Sequence, residues 1–199
     1  MKTNPKNTVM KKLFTLLAMA LFALLLTPQS SQASHMAGTD ITYEYTGTPN
    51  TYLVRVKYYR DCLGIPASGS VTICWSSATL GLSGSAPAPK ISFTAVPNTP
   101  CVTAPANCPG GVGDIEEHIF EAVITLPQPA SDWVFSFSEC CRNTAISTLA
   151  NPGGINMYNS CTLDNLLAPT NSSPYFLNLA YTRFCVGNQF FYDQGAIDI

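Results

Sequence analysis

Apolar and polar positions alternate with period two over much of this chain, and that period marks strands. Thr51 to Arg60 is the clearest case: Tyr52, Val54, Val56 and Tyr58 alternate with Leu53, Arg55, Lys57 and Tyr59. Ile41 to Tyr45 places Ile41, Tyr43 and Tyr45 on one face. Gly47-Thr48-Pro49-Asn50 is a turn between the two, so they are expected to pair as a hairpin. Further strands are expected at Val71–Trp75, Ile91–Val96, Ile115–Leu126, Trp133–Cys141, Tyr175–Leu179, Tyr181–Val186 and Gln189–Tyr192. In Ile115–Leu126 the residues His118, Phe120, Ala122 and Ile124 share a side. Val123, Ile124 and Thr125 favour strand over helix, and Pro127 ends the run. Trp133, Phe135 and Phe137 put three rings on one face of the next strand.

Between these runs, Ser76–Pro89 reads as a loose Ser/Gly/Ala/Pro stretch, and Pro97–Gly113 as a loop carrying Cys101 and Cys108. Asn143–Ala150 is the one expected helical turn, stopped by Pro152-Gly153-Gly154. Short strands with Gly, Pro and Asn turns give the expected fold class: mostly β with minimal helix, an immunoglobulin-like or irregular β-sandwich stapled by disulfides.

The N-terminus changes how the cysteines are read. Lys2, Lys6, Lys11 and Lys12 precede an apolar run from Leu13 to Leu26, broken only by Thr15. Ser31-Gln32-Ala33 then offers small residues at the −3 and −1 positions of a cleavage site. This order is that of a secretory signal over 1–33. A helix of about 14 residues rises about 21 Å, short of the roughly 30 Å of a hydrocarbon core, so an anchor is disfavoured. The remaining 34–199 is expected to be one disulfide-rich β module. The chain stops at Ala196-Ile197-Asp198-Ile199, which reads as the N-terminal fragment of a longer protein.

All eight cysteines, Cys62, Cys74, Cys101, Cys108, Cys140, Cys141, Cys161 and Cys185, follow that cleavage site. In an exported chain they read as a disulfide framework. Their spacing does not suit zinc. Cys101 and Cys108 flank a short loop, so they are expected to pair at little entropic cost. Cys140 and Cys141 end a strand and would point to opposite faces, which predicts two different partners drawn from Cys62, Cys74, Cys161 and Cys185. A bond between the two neighbours is the disfavoured alternative.

After the signal, Arg55, Lys57, Arg60, Lys90, Arg142 and Arg183 stand against twelve carboxylates; six minus twelve gives a net charge of −6. Nucleic acid and anionic membrane surfaces need a basic patch and are excluded as expected partners. No cofactor, metal or transmembrane span after cleavage is expected. A cell-surface protein or a polysaccharide is the expected partner class.

Several motifs together resemble a family. They are His35-Met36-Ala37-Gly38-Thr39-Asp40-Ile41-Thr42-Tyr43, the YRDC of Tyr59–Cys62 with Gly64-Ile65-Pro66, the CCRN of Cys140–Asn143, the NSSP of Asn171–Pro174 and the FCVG of Phe184–Gly187. The set is similar to the N-terminal region of large secreted proteins of gliding bacteria. Those proteins carry PKD or other immunoglobulin-like repeats and a C-terminal sorting domain linked to gliding motility. The resemblance covers nearly all of 34–199 and implies a secreted or cell-surface setting and an adhesive role; it implies no catalytic activity. In that family the stretch like Phe191–Asp198 runs on into an acidic calcium-binding motif, and here the chain ends first. Cys74 and Cys161 stand outside the family pattern, which implies that they pair with each other.

An enzyme needs a nucleophile with a base, a carboxylate pair or a metal. His118 beside Glu117 is the only dyad the sequence offers, and the competing reading is a partly exposed strand histidine. Glu116 and Glu117 face opposite ways on a strand and cannot act on one bond. Glu139 and Asp132 read as solvated. Arg60 and Asp61, with Glu139 and Arg142, read as a buried or half-buried ion pair between segments, with a ligand-binding arginine as the sharper alternative. Cleavage after Gln32 would leave Ala33-Ser34-His35, which can chelate Cu(II); the preferred cut removes Ala33. Asn171-Ser172-Ser173 is a formal glycosylation sequon and reads as a surface turn. Trp75, Trp133, Tyr58 and Tyr59 could stack on sugars, but a domain of this size needs its rings inside. The expected function is a non-catalytic extracellular or surface β module with an adhesive or structural role. A carbohydrate-binding module is the second reading and a secreted hydrolase the third.

Overall fold

A computed structural model describes residues 36–97, 108, 113–143, 146–179, 186–187, 189–193 and 195–198. All lie within one unit, Ala33–Ile199. Nine strands are described: β1 Met36–Tyr45, β2 Thr51–Asp61, β3 Ser70–Ser77, β4 Leu82–Val96, β5 Ile115–Thr125, β6 Trp133–Glu139, β7 Met157–Leu163, β8 Tyr175–Phe176 and β9 Ala196–Ile197. Seven form one antiparallel sheet in the order β1-β2-β5-β4-β3-β6-β7, and β8 pairs with β9. The chain is mostly β, as its alternation predicts. No described helix is long and apolar enough to cross a membrane.

The sheet folds onto itself because β4 serves two layers. Lys90–Val96 pairs with β5, while Leu82–Pro89 pairs with β3. One layer is therefore β1, β2, β5 and the end of β4; the other is β3, β6, β7 and the start of β4. Their inner faces meet in a ring-rich core, with Tyr43 and Tyr52 at 5.7 and 6.3 Å from Phe135 and Tyr58 at 6.5 Å from Phe137. Trp133, Phe135 and Phe137 are buried on the face their alternation predicted. Each buried apolar side chain of this kind contributes about 1.5–3 kcal/mol. The outer strands β1 and β7 close the sandwich with side chains: Tyr43 Oη donates to Thr162 O at 3.2 Å, and Asn159 Nδ2 to Thr39 O at 2.7 Å.

Two strands differ from the sequence expectation. Leu82–Pro89 is a strand, not a loose stretch. Its inward positions are Leu82, Gly84, Ala86 and Ala88, three of them small, and at Gly84 the indole of its partner Trp75 lies over the backbone and packs against Trp133 at 5.5 Å. Its prolines sit at an open edge. Lys90 N–H donates to Gly69 O, so alternate positions face β3 and Pro87 and Pro89 face away, where no donor is needed. The strand Met157–Leu163 was hidden by Asn159 and Ser160. The expected helical turn over Asn143–Ala150 is absent from its described residues, and a single 3-10 turn falls instead on Pro152–Gly154. Of the expected C-terminal strands, Tyr175–Leu179 forms in part, as Tyr175–Phe176, and Gln189–Tyr192 is irregular, while Tyr181–Val186 lies outside the described residues apart from Val186.

A Cβ on Gly84 would run into the Trp75 ring. Gly84→Ala is expected to cost about 1–3 kcal/mol as Trp75 is pushed off Trp133. At this chain length each kcal/mol lowers Tm by about 2–4 °C, which a thermal melt would read.

Candidate functional site

The last turn of β2 gathers the densest set of charged groups. Pairing of Arg60 with Glu116 and of Tyr59 with Glu117 in the β2–β5 register places each pair on its own face of the sheet. Arg60 is buried. Its Nη1 bonds Glu116 Oε2 at 2.5 Å, Nε donates to Ile65 O at 2.5 Å, and Nη2 donates to Cys62 O at 3.2 Å and Gly64 O at 2.8 Å. On the other face, Tyr59 Oη donates to Glu117 Oε2 at 2.8 Å, with Lys57 Nζ 3.7 Å from the same oxygen. Burial and the Glu117 carboxylate push the Tyr59 phenol up, so it stays protonated. Burial likewise raises the Asp40 carboxyl, against the pull of Lys57. Asp61 Oδ1 accepts Leu63 N–H at 2.9 Å and turns the chain. The expected ion pair between the Arg60–Asp61 and Glu139–Arg142 segments does not form; Arg60 pairs with Glu116 on β5 instead. Arg142 instead donates from Nε to Asn156 O at 3.3 Å, and burial raises the Glu139 carboxyl. Asp132, expected to be solvated, is held low by the Ser77 hydroxyl and Thr79 N–H.

His118 is 3% exposed, so it is not a partly exposed histidine. Its partner is Glu116, two residues away on the same face, and not Glu117: Nε2 lies 3.0 Å from Glu116 Oε2. Phe93 stacks on the ring at 5.6 Å and Tyr58 meets it edge-on at 6.1 Å. Nδ1 has no hydrogen-bond partner among the described residues. Nε2–H thus donates to Glu116, and a proton on Nδ1 would be buried without an acceptor. Burial is the largest influence and lowers the His118 pKa; the Glu116 hydrogen bond opposes it, while Lys90 and Arg60 add to the lowering. The sign follows. The unfolded chain protonates His118 near its ordinary value of about 6.5, and the folded chain only below that. Stability is therefore full above about pH 6.5 and falls as pH drops, by up to about 1.4 kcal/mol per unit. Urea midpoints at about pH 7.5 and pH 5.5 should differ more in the native chain than in His118→Gln.

The described cysteines correct the expected connectivity. Cys62 is bonded to Cys108, with Cα atoms 5.0 Å apart, so Cys108 does not pair with Cys101. The β2–β5 ladder runs to Asp61 and Ile115, and Cys62 N–H donates to Asp114 O at 2.8 Å while Cys108 N–H donates to Gly113 O at 2.8 Å. Sheet pairing thus brings distant cysteines together, and the local loop-entropy argument is outweighed. Cys140 is bonded to Cys141. The expected divergence of their side chains assumed an extended strand, but β6 ends at Glu139 and Cys141 has φ 120°. Cys74 and Cys161 are free thiols, not a pair. In register, Cys74 meets Ser136 and Cys161 meets Phe135, so they lie on opposite faces with β6 between them. Burial pushes the Cys161 thiol up to about 12. Cys101, Cys185 and the Ala33-Ser34-His35 copper motif lie outside the described residues. Cys62, Cys108 and Glu116 do place ligand atoms within 4.8 Å of one another. The two sulfurs are spent on each other, however, and Arg60 already sits on the carboxylate, so the group does not suit a cation.

A second feature is open to solvent. A cleft of 330 Å³ lies between the outer face of the β1–β2 hairpin and the segment Ser172–Tyr175. Thr42, Tyr43, Glu44, Leu53, Arg55, Ser172, Ser173 and Tyr175 line it. The NSSP motif builds one wall: Ser173 Oγ accepts Tyr43 N–H at 2.9 Å, Ser172 Oγ accepts Tyr45 N–H at 3.1 Å, and Ser173 N–H donates to Tyr43 O at 2.9 Å. Asn171, the sequon residue, is exposed and donates to Tyr43 Oη at 3.1 Å. Arg55 is held by Glu121, with Nε and Nη2 at 2.6 and 2.5 Å from Oε1.

The chain matches no family model, no curated protein and no solved structure. The geometry alone therefore assigns roles to the motifs. Met36-Ala37-Gly38, YRDC and CCRN meet at one end of the fold: Met36 pairs with Arg60 and bridges to Arg142, and Asn143 N–H donates to Met36 O at 3.4 Å. These motifs hold the architecture. The cleft residues carry no sequence signature beyond the outward polar positions Thr42 and Glu44 and the NSSP turn. Trp75, Trp133, Tyr58 and Tyr59 do not form an exposed platform: three are buried and Trp75 packs against the core.

Proposed function

We propose that this chain is a non-catalytic, secreted or cell-surface β module with an adhesive or surface-structural role, of the kind found at the N-terminus of the gliding-associated repeat proteins it resembles. The observation that carries this reading is the fate of His118. It is closed in by Phe93 and Tyr58, and the carboxylate it touches is already held by Arg60. A general base must reach a substrate proton, and this one is engaged in holding β2, β4 and β5 together. Disulfide bonding of described cysteines fits folding in an oxidising compartment. The leader-like 1–33 segment supports export on sequence grounds.

The test is adhesion. Beads coated with the oxidised full chain are expected to stick to bacterial cells or polysaccharide-coated glass, and beads carrying the reduced, alkylated chain are not. Hydrolytic activity that disappears in His118→Ala, in a variant that still folds, would replace this reading with the hydrolase.

A further inference from the structure

We propose that the cleft between the β1–β2 hairpin and Ser172–Tyr175 binds a neutral saccharide unit of a surface polysaccharide. The inference deepens the adhesive reading and rests on it for its biological setting, though not for its chemistry.

Charge narrows the ligand first. Among the described lining residues Arg55 is the one cation, and Glu121 already neutralises it. Glu44 adds a carboxylate. A phosphate, sulfate or uronate would meet no surplus of positive charge. Hydrogen bonding narrows it further. Among the described residues the Thr42 hydroxyl, the Glu44 carboxylate and Arg55 Nη1 have no hydrogen-bond partner in the fold, so acceptors and donors stand together. A sugar presents adjacent hydroxyls that both donate and accept, which suits a mixed set. The half-buried Tyr175 ring and Leu53 add an apolar surface for the C–H face of a pyranose.

The site is also built to hold its shape. Thr42, Glu44, Leu53 and Arg55 project from paired strands, and the Ser172 and Ser173 hydroxyls pin the opposite wall to β1. Its volume of 330 Å³ lies at the small end of ligand pockets, about 300–1,000 Å³, which suits one or two sugar residues. Glycoside hydrolysis uses two carboxylates across the scissile bond. Among the described residues lining this cleft Glu44 supplies the single carboxylate, which fits binding better than hydrolysis.

The experiment applies the oxidised full chain to an array of neutral, uronate and sulfated glycans and follows each hit by titration calorimetry. Neutral oligosaccharides are expected to bind. Tyr175→Ala and Glu44→Ala are each expected to weaken them about tenfold. Phe93→Ala, which removes an exposed ring outside the cleft, is expected to leave affinity unchanged; Glu44 is exposed, so its variant folds even if Tyr175→Ala does not. Competition by free monosaccharide separates recognition of a terminal residue from recognition along the chain. Three results would overturn the proposal: no neutral glycan bound, binding that survives Glu44→Ala and Tyr175→Ala, or binding only to acidic glycans that high salt abolishes. Beads that adhere while every glycan fails would remove the saccharide and keep the adhesive module. Sugar binding without adhesion would do the reverse.

Discussion

Replacing Arg60 with methionine is expected to lower stability by about 3–5 kcal/mol. The guanidinium makes four hydrogen bonds, to Glu116 and to the carbonyls of Cys62, Gly64 and Ile65. Methionine fills similar space but satisfies none of them. Glu116 would remain buried with only the neutral His118 at 3.0 Å. A buried pair broken on one side costs far more than the pair is worth, so the double variant Arg60→Met with Glu116→Leu is expected to recover much of the loss. Urea unfolding at constant m-value reads both. A single-variant loss below about 1 kcal/mol would mean that the ion pair does not organise this end of the fold.

Cys108→Ser is expected to cost about 4 kcal/mol, from the entropy of a loop spanning 46 residues that the Cys62–Cys108 bond closes. Cys74→Ser, at an exposed free thiol, should stay within about 0.5 kcal/mol and serves as the internal control. The two large effects are not independent. Arg60 Nη2 donates to the Cys62 carbonyl, so the same turn is held covalently and by hydrogen bonds. Arg60→Met combined with Cys108→Ser should depart from additivity by at least about 0.5 kcal/mol in denaturant midpoints.

Much of the fold is legible as alternation. Tyr52, Val54, Val56 and Tyr58 in β2 and Trp133, Phe135 and Phe137 in β6 are buried where period two places them. The start of β4 was illegible because its inward face carries Gly84, Ala86 and Ala88, small residues that give no apolar alternation and that Trp75, Ile73 and Val71 of β3 partner. The strand β7 was illegible because Asn159 points inward to bond Thr39 O, so a polar residue occupies an apolar slot. The disulfides were illegible for a similar reason. Cys62 and Cys108 are brought together by a ladder between β2 and β5, and no local spacing encodes it. The true neighbour of His118 was within reach, since residues two apart on a strand share a face and Glu116 is two away. The cleft was beyond reach, because Glu44 and Tyr175 meet only through the docking of Ser172 and Ser173 on β1.

The framework of sulfur bridges around a ring-packed sandwich is the foundation of this account, and peptide mapping of the natively oxidised protein tests it most directly. Free thiols are alkylated before digestion without reduction, and cross-linked peptides are identified by mass. A peptide pair joined through Cys62 and Cys108, an unreduced Cys140–Cys141 peptide, and alkyl labels on Cys74 and Cys161 are expected. Alkylated Cys62 and Cys108, or Cys108 joined to any other cysteine, would contradict it.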